Sequence, residues 1–204
     1  MFNTVVDHMK HVKGAIDQMS SRAAFAFALS CTERQWPAFQ QSLKQARRVV
    51  EVGSVFRQAI DVGWAHLLQG IAIADELLAS CRQLISADVR DAPSVVANTI
   101  ENSIVDLLHA IQRKDKVYAH HLSGRNIGLI ELLLDEHGLL IDDLNVDFAN
   151  QLLDIQTVRH LVETEMKHQD EDLRRLTADD SDVVIEAMKN ESSRISLFSE
   201  IWFS

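Results

Sequence analysis

Apolar residues recur along most of the chain at the three- and four-residue steps of an α-helix. The first such series is Val5, Met9, Val12, Ile16 and Met19. This spacing predicts an amphipathic helix over residues 4–19. The same reasoning predicts helices over residues 49–69 and 117–136, and a long helix from about 147 to 176.

The segment AAFAFALSC, residues 23–31, is apolar on nearly every side of a helix. Phe25 to Leu29 alternate as in a strand, but Phe25, Leu29, Thr32 and Trp36 follow helical spacing. A helix that is apolar all round is expected in the core, wrapped by other helices. Pro37 disfavours helical geometry at the residue before it and suits the first position of a helix. We therefore expect this helix to end at Trp36 and a new one to begin at Pro37.

Composition narrows the fold class to all-α. The chain has 204 residues with 47% apolar and 25% charged residues, and only seven glycines and two prolines. These values predict one globular domain, residues 1–204, with long uninterrupted helices. The expected architecture is a multi-helix bundle of about seven to eight helices, with a short, extended C-terminal tail.

The two cysteines, Cys31 and Cys81, fall in predicted helices and lack metal-ligand spacing. Two cysteines do not make a disulfide framework, which favours a reducing compartment. The N-terminal residues are charged where a signal peptide needs an apolar core. No window reaches the roughly 18 apolar residues of a membrane span. We expect a cytoplasmic protein with no membrane association.

Charge is distributed unevenly. Residues 1–130 carry 14 Lys/Arg against 12 Asp/Glu, whereas residues 131–204 carry 6 against 18, within a net charge of −10. A surface of this sign repels nucleic acid and attracts a basic protein. A solvated face that maintains solubility is the alternative.

The acidic residues that we expect to bind such a partner fall in four short segments. They are Asp135, Glu136, Asp142, Asp143, Asp147, Asp170, Glu171, Asp172, Asp179, Asp180 and Asp182. Helix N-termini also favour acids, which gives Asp147 and the residues at 179–182 a structural alternative.

Glu165 and His168 have the Glu-x-x-His spacing of helical di-iron proteins, in which one turn brings both ligands to one face. The nearest second copy is Asp106 with His109, whereas such sites need the full motif twice. Local pairing on an exposed helix is the alternative. No nucleophile elbow, Walker loop or dinucleotide fingerprint occurs. We therefore predict no catalytic residues, no cofactor and no metal.

The stretch FALSCTERQWPAFQ, residues 27–40, resembles the signature of the YjaG-like proteins (domain of unknown function 416), an uncharacterised bacterial family. The matching residues are Cys31, Glu33, Arg34, Trp36, Pro37 and Phe39. In this chain Thr32 stands as an insertion between the cysteine and the glutamate. The resemblance implies an all-helical single domain and supplies no functional residues.

Glu33 and Arg34 point about 100° apart on a helix and cannot pair with each other. We expect Glu33 to pair with an arginine of another helix, and Arg34 to bind free carbonyls at the helix C-terminus. A pair that lines a pocket is the alternative.

Three functions are compatible with these observations. The leading hypothesis is an interaction protein whose acidic face neutralises a basic partner, most concretely an immunity protein for a bacterial toxin such as a nuclease. The second is a metal- or small-molecule-binding bundle or enzyme that uses Glu165 and His168. The third is a homodimeric scaffold built through the apolar tail, residues 194–204.

Overall fold

The structure, a computed structural model, describes residues 5–48, 50–85, 92–136 and 148–195, and the side chains of 5–48, 51–85, 94–128 and 159–195. The described residues form eight helices and no strand. The helices are α1 (Val5–Gln18), α2 (Ser21–Gln45), α3 (Val50–Gln69), α4 (Asp75–Leu84), α5 (Ala92–Arg113), α6 (Val117–Glu136), α7 (Phe148–Ala178) and α8 (Asp182–Ser192). The predicted all-α bundle is confirmed.

Local sequence signals set several helix ends. The hydroxyl oxygen of Ser20 accepts a hydrogen bond of 3.0 Å from the backbone N–H of Ala23 and so caps the first turn of α2. The predicted helix over 117–136 coincides with α6, and the long predicted helix corresponds to α7. The predicted extended tail lies almost entirely at residues 196–204, outside the described residues.

Helix α2 is the central element of the bundle. All of its residues from Ala23 to Gln35 are buried, and it packs against α3, α5, α6, α7 and α8. This confirms the prediction that an all-round apolar helix is wrapped by others. The charged residues Glu33 and Arg34 are thereby carried into the core.

The prediction that a helix ends at Trp36 and another begins at Pro37 is wrong. Pro37 lies inside α2, which continues to Gln45. A proline at this position removes the N–H that would bond the Glu33 carbonyl, at a cost of about 3 kcal/mol. Burial of the following turn offsets this cost, because Phe39 is fully buried and its ring packs edge-on against Phe56 of α3.

Helices α6 and α7 form an antiparallel pair. Asn126 contacts Glu165, and Ser123, earlier in α6, contacts Gln169, later in α7. Their connection, residues 137–147, lies outside the described residues. Helix α1 packs against both helices. None of the described helices combines the length and the hydropathy that crossing a bilayer requires.

Candidate functional site

A buried ion pair joins the central helix to α7. Arg34 donates two hydrogen bonds to Glu165, Nε to Oε2 at 2.9 Å and Nη2 to Oε1 at 3.0 Å. Their side chains are 1% and 0% exposed. The expectation that Arg34 binds carbonyls at a helix C-terminus is wrong, because α2 extends eleven residues beyond it. Arg34 instead holds two helices together in a fixed register.

A second carboxylate completes the partners of Arg34. Asp172 lies two turns beyond Glu165 on α7. It accepts hydrogen bonds from Arg34 Nη1 at 2.8 Å and from the Ser30 hydroxyl at 2.7 Å. Burial alone would lower the pKa of Arg34, but the neighbouring carboxylates, Glu165 foremost, hold it well above its ordinary value. The guanidinium is therefore permanently charged, and its two carboxylates are its counter-ions.

Amide side chains satisfy the remaining bonding capacity of Glu165. The Oε1 atom also accepts from Asn126 Nδ2 at 2.9 Å and from Gln169 Nε2 at 2.8 Å. Asn126 Nδ2 donates in addition to the Cys31 carbonyl at 2.9 Å, and His8 of α1 bonds Gln169 at 2.8 Å. A buried charge is tolerated only where such bonds compensate its lost hydration. The cluster thus links α1, α2, α6 and α7.

Glu33, which points about 100° away from Arg34 on α2, anchors that helix to α3. Arg57 donates to both of its oxygens, at 2.7 and 2.6 Å, and Trp64 Nε1 donates to Oε1 at 2.9 Å. This confirms that Glu33 pairs with an arginine of another helix. The Arg57 guanidinium also lies 5.3 Å from the centre of the Trp36 ring, a cation–π contact.

The Glu33-Arg34 pair therefore directs one charge to α3 and the other to α7. Both side chains are closed off from solvent, and each is matched by opposite charge within the bundle. Such an arrangement positions helices; it offers no group to a substrate at the surface. This geometry does not support the alternative in which Glu33 and Arg34 line a pocket.

Three of the predicted partner-binding acids lie on α7. Glu171 is 41% exposed, Asp170 is 39% exposed and Asp172 only 13%. Glu171 pairs with Arg174 and Arg175, and Asp172 bonds Arg34 and Ser30. Asp170 Oδ1 lies 3.4 Å from His8 Nδ1 and 3.9 Å from His11 Nε2 and accepts no hydrogen bond from a described residue. Asp172 thus belongs to the core cluster, and the three acids do not share one exposed face.

The acids around the α7–α8 turn are also engaged locally. Asp179 accepts from the backbone N–H of Ser181 at 2.9 Å, and Asp180 accepts from the Ser20 hydroxyl at 2.6 Å. Asp182 pairs with Arg22 of α2. These contacts attach the turn to the start of α2.

The other predicted acids are not described at the level of side chains. Asp135 and Glu136 lie in the last turn of α6. Asp142, Asp143 and Asp147 lie outside the described residues. Their role in binding stays a prediction.

In the metal-binding pair proposed from the sequence, Glu165 and His168, the carboxylate of Glu165 is already bound by Arg34. Both oxygens of Glu165 accept from Arg34, and a cation there would meet the guanidinium charge. Burial, followed by the charge of Arg34, lowers the pKa of the neighbouring His168. Within the described part of the chain, no group of three or more His, Cys, Asp or Glu side chains has an arrangement for a metal ion.

The two cysteines are fully buried free thiols. Burial raises the pKa of Cys31 well above its ordinary value and that of Cys81 to about 11. The thiol form therefore persists at neutral pH, and neither side chain is a prepared nucleophile.

Sequence reasoning missed the partners of Arg34. The available signal was a charged residue inside a helix that is apolar on every side, because such a charge requires a buried counter-ion. Glu165 and Gln169, one turn apart on α7, are the residues that supply and orient it. Nothing in their spacing distinguishes them from the exposed acids of the same helix.

Comparison with known proteins agrees with the fold. No family model and no curated protein matches the chain. Among solved structures, the chain is similar to a DUF416 family protein from Shewanella baltica OS155, with a TM-score of 0.72 and 16% identity, over 88% of this chain and 92% of that one. At this identity the likeness concerns the fold. The resemblance indicated by residues 27–40 is thus confirmed at the level of structure: the chain has the fold of a DUF416 protein.

Proposed function

We propose that this protein is a cytoplasmic interaction protein that binds a basic partner protein through the acidic segment at 131–158. One observation carries the proposal. This segment contains seven Asp/Glu residues and no Lys or Arg. The acids are Glu131, Asp135, Glu136, Asp142, Asp143, Asp147 and Asp154. Uncompensated charge of one sign accelerates encounter with an oppositely charged protein and selects against others.

The ion pairs of the acids after residue 158 limit the surface that we propose for partner binding. Asp172 and Asp182 pair with Arg34 and Arg22 of α2, and Glu171 is matched by two arginines of its own helix. A carboxylate that already has a counter-ion gains less from a new one. Residues 131–158 contain no basic residue to compensate their charge, which supports them as the partner-binding segment.

The most concrete form of the proposal is an immunity protein that neutralises a cognate bacterial toxin, such as a nuclease. A nuclease binds phosphates through a basic surface. The seven carboxylates of the segment are negatively charged, as phosphates are. They would bind the basic surface of the nuclease and block it. The rigid bundle, with its buried ion pairs, would serve to present the segment.

The test compares two charge-matched variants as bait. One replaces Asp135, Glu136, Asp142 and Asp143 by their amides. The control replaces Asp17, Glu51, Glu76 and Glu186, which are exposed acids on other helices. Both baits are incubated with lysate of the source organism at low and high salt, and bound proteins are quantified by mass spectrometry.

We expect the native chain and the control variant to capture the same basic protein at low salt. The first variant should not capture this protein, and high salt should release it from the native chain. Purified with the native chain, it should then be assayed for nucleic-acid cleavage. Stoichiometric inhibition of cleavage would support the immunity form, whereas a partner without such activity would limit the proposal to interaction. Equal capture by both variants would contradict the proposed surface.

A further inference from the structure

A cleft between α4, α5 and the start of α6 brings two arginines together with a half-buried histidine. Its volume is about 250 Å³, room for on the order of eight water molecules at about 30 Å³ each. The lining includes Arg82 of α4, His109 and Arg113 of α5, and Tyr118 of α6. It lies away from the acidic segment in sequence and shares no residue with the Arg34 cluster.

Two arginines of this cleft are available for a ligand. Among the described residues, neither Arg82 nor Arg113 forms a hydrogen bond or an ion pair. The third arginine nearby, Arg125, is already engaged, since it pairs with Asp106 at 3.2 Å and donates to the Tyr118 hydroxyl at 3.2 Å. Arg82 and Arg113 therefore present two guanidinium groups without an ion-pair partner to one cavity.

His109 lines the same cleft. Both of its ring nitrogens are shielded from solvent, and neither has a hydrogen-bond partner among the described residues. A shielded polar group without a partner carries a free-energy cost of about 1–3 kcal/mol. A ligand in the cleft that accepts a hydrogen bond from the imidazole would remove this cost.

Three acids lie near the cleft, and Asp106 and Asp115 are part of its lining. Asp106 is matched by Arg125, and Asp115 is exposed and accepts from the backbone N–H of Val117 at 3.2 Å. Asp75 of α4 accepts from Gln112 at 2.8 Å. Among the described residues, neither Asp115 nor Asp75 forms an ion pair with Arg82 or Arg113, which leaves both guanidinium groups open to a ligand.

We propose that this cleft binds the phosphate group of a small phosphomonoester, held by Arg82 and Arg113 with His109 as an additional donor. Guanidinium groups match phosphate oxygens in geometry and charge. A phosphate dianion offers the two guanidinium groups three oxygens and two charges, whereas a carboxylate offers two oxygens and one charge. The phosphate charge would also reverse the electrostatic environment of His109.

The pKa of His109 gives a direct readout. Burial has the largest effect and lowers the pKa of His109. The positive charges of Arg82 and Arg113 lower this pKa further, whereas Asp106 and Asp75 raise it. A bound phosphate adds negative charge beside the ring and is expected to raise the pKa by about 1. Imidazole NMR signals, assigned with a His109→Gln variant, are followed against pH in sodium chloride, sodium acetate, inorganic phosphate and glycerol 3-phosphate at equal ionic strength.

We expect both phosphates to raise the pKa of His109, and acetate and chloride to leave it unchanged. Tighter binding of glycerol 3-phosphate would show that the rest of the cleft contributes, and equal binding that the phosphate group suffices. Arg82→Gln and Arg113→Gln, both at exposed positions, should each weaken phosphate binding about tenfold.

The matched control is the pair Lys44→Gln and Arg194→Gln, which removes two exposed positive charges elsewhere. It should bind phosphate as the native protein does. The proposal would be overturned by an unchanged pKa in phosphate, by an equal effect of acetate, or by undiminished binding in the arginine variants.

Discussion

The guanidinium of Arg34 and the carboxylate of Glu165, 131 residues apart in sequence, form a two-bond ion pair in the core. Removing two charges from water costs several kcal/mol for each ion. Their attraction and the bonds from Asn126 and Gln169 compensate that cost only in this arrangement. The pair therefore specifies how α7 packs on α2, whatever its net contribution to the free energy of unfolding.

Replacing Arg34 by Met should destabilise the protein by about 3–5 kcal/mol, because Glu165 and Asp172 would be left without their cation. Urea unfolding followed by circular dichroism measures the change. The double variant Arg34→Met/Glu165→Leu should recover part of the loss, since it removes the unpaired charge.

The control for this prediction is Arg174→Met, which removes an ion pair with Glu171 whose side chains are 71% and 41% exposed. It should cost far less than Arg34→Met, because an exposed ion pair is screened by solvent. If Arg34→Met were no more destabilising than this control, the buried pair would not have the role assigned to it.

Gly63 and Gly14 should respond oppositely to alanine. A Cβ at Gly63 in α3 would lie 2.9 Å from Leu29 Cδ2 and 3.4 Å from Leu108 Cδ2, whereas a Cβ at Gly14 in α1 meets no atom within 4 Å. Overpacking should make Gly63→Ala destabilising by about 1–3 kcal/mol. Gly14→Ala should stabilise by about 0.4–1 kcal/mol through reduced entropy of the unfolded chain. Thermal unfolding distinguishes them, and shifts of the same sign would contradict the packing at Gly63.

Stability should depend on the ionisation of Glu171 in acid. Hydrogen bonds from Arg174 and Arg175 lower its pKa from an ordinary 4.5 to about 2. The carboxylate stabilises the folded state above pH 4.5, and this contribution is lost as the pH falls from 4.5 through about 2. Because Glu171 is 41% exposed, the contribution is at most about 1 kcal/mol.

Urea unfolding of the native chain and of Glu171→Gln, compared from neutral pH downward, measures this contribution. The native chain should be the more stable at neutral pH, and the difference should shrink in acid. A difference that grows as the pH falls would have the wrong sign. A control without an arginine partner among the described residues is Glu51→Gln.

Both cysteines should resist thiol reagents in the folded protein. Cys31 and Cys81 are 0% exposed, and burial raises the pKa of each, that of Cys81 to about 11. Reaction needs an accessible thiolate, so labelling should proceed only through opening of the fold and should accelerate in sub-denaturing urea. Single Cys→Ala variants report each thiol separately. In a cysteine-free background, Ser54→Cys at an exposed position should react at the rate of a free thiol. Comparably rapid labelling of either native cysteine would contradict its burial.

The positions of most helices were predictable from residue periodicity, because burial of an apolar stripe is a local pattern. The helix over 117–136 and the wrapped helix at 23–31 are examples. The end of α2 was not predictable. A proline normally disfavours helix continuation, but burial of Phe39 against Phe56 outweighs that local preference, and such a contact involves residues distant along the chain.

The partners of the conspicuous charges were predictable only in part. An arginine for Glu33 was expected from the cost of burying a charge, whereas its identity as Arg57 depends on how α3 packs against α2. Arg34 was misassigned because its environment follows from the continued helix. Which of the described acids bond to another helix, as Asp172 does to α2, likewise depends on which helices meet.

An all-helical fold, an apolar central helix and an acidic C-terminal third can therefore be read from neighbouring residues, since helical periodicity and charge are local properties of the chain. Which charges are buried, which are paired, and which groups line a common cleft, as Arg82 and Arg113 do, depends on how the helices pack. Desolvation and Coulomb attraction act over a few ångströms in space, between side chains that meet only in the folded bundle.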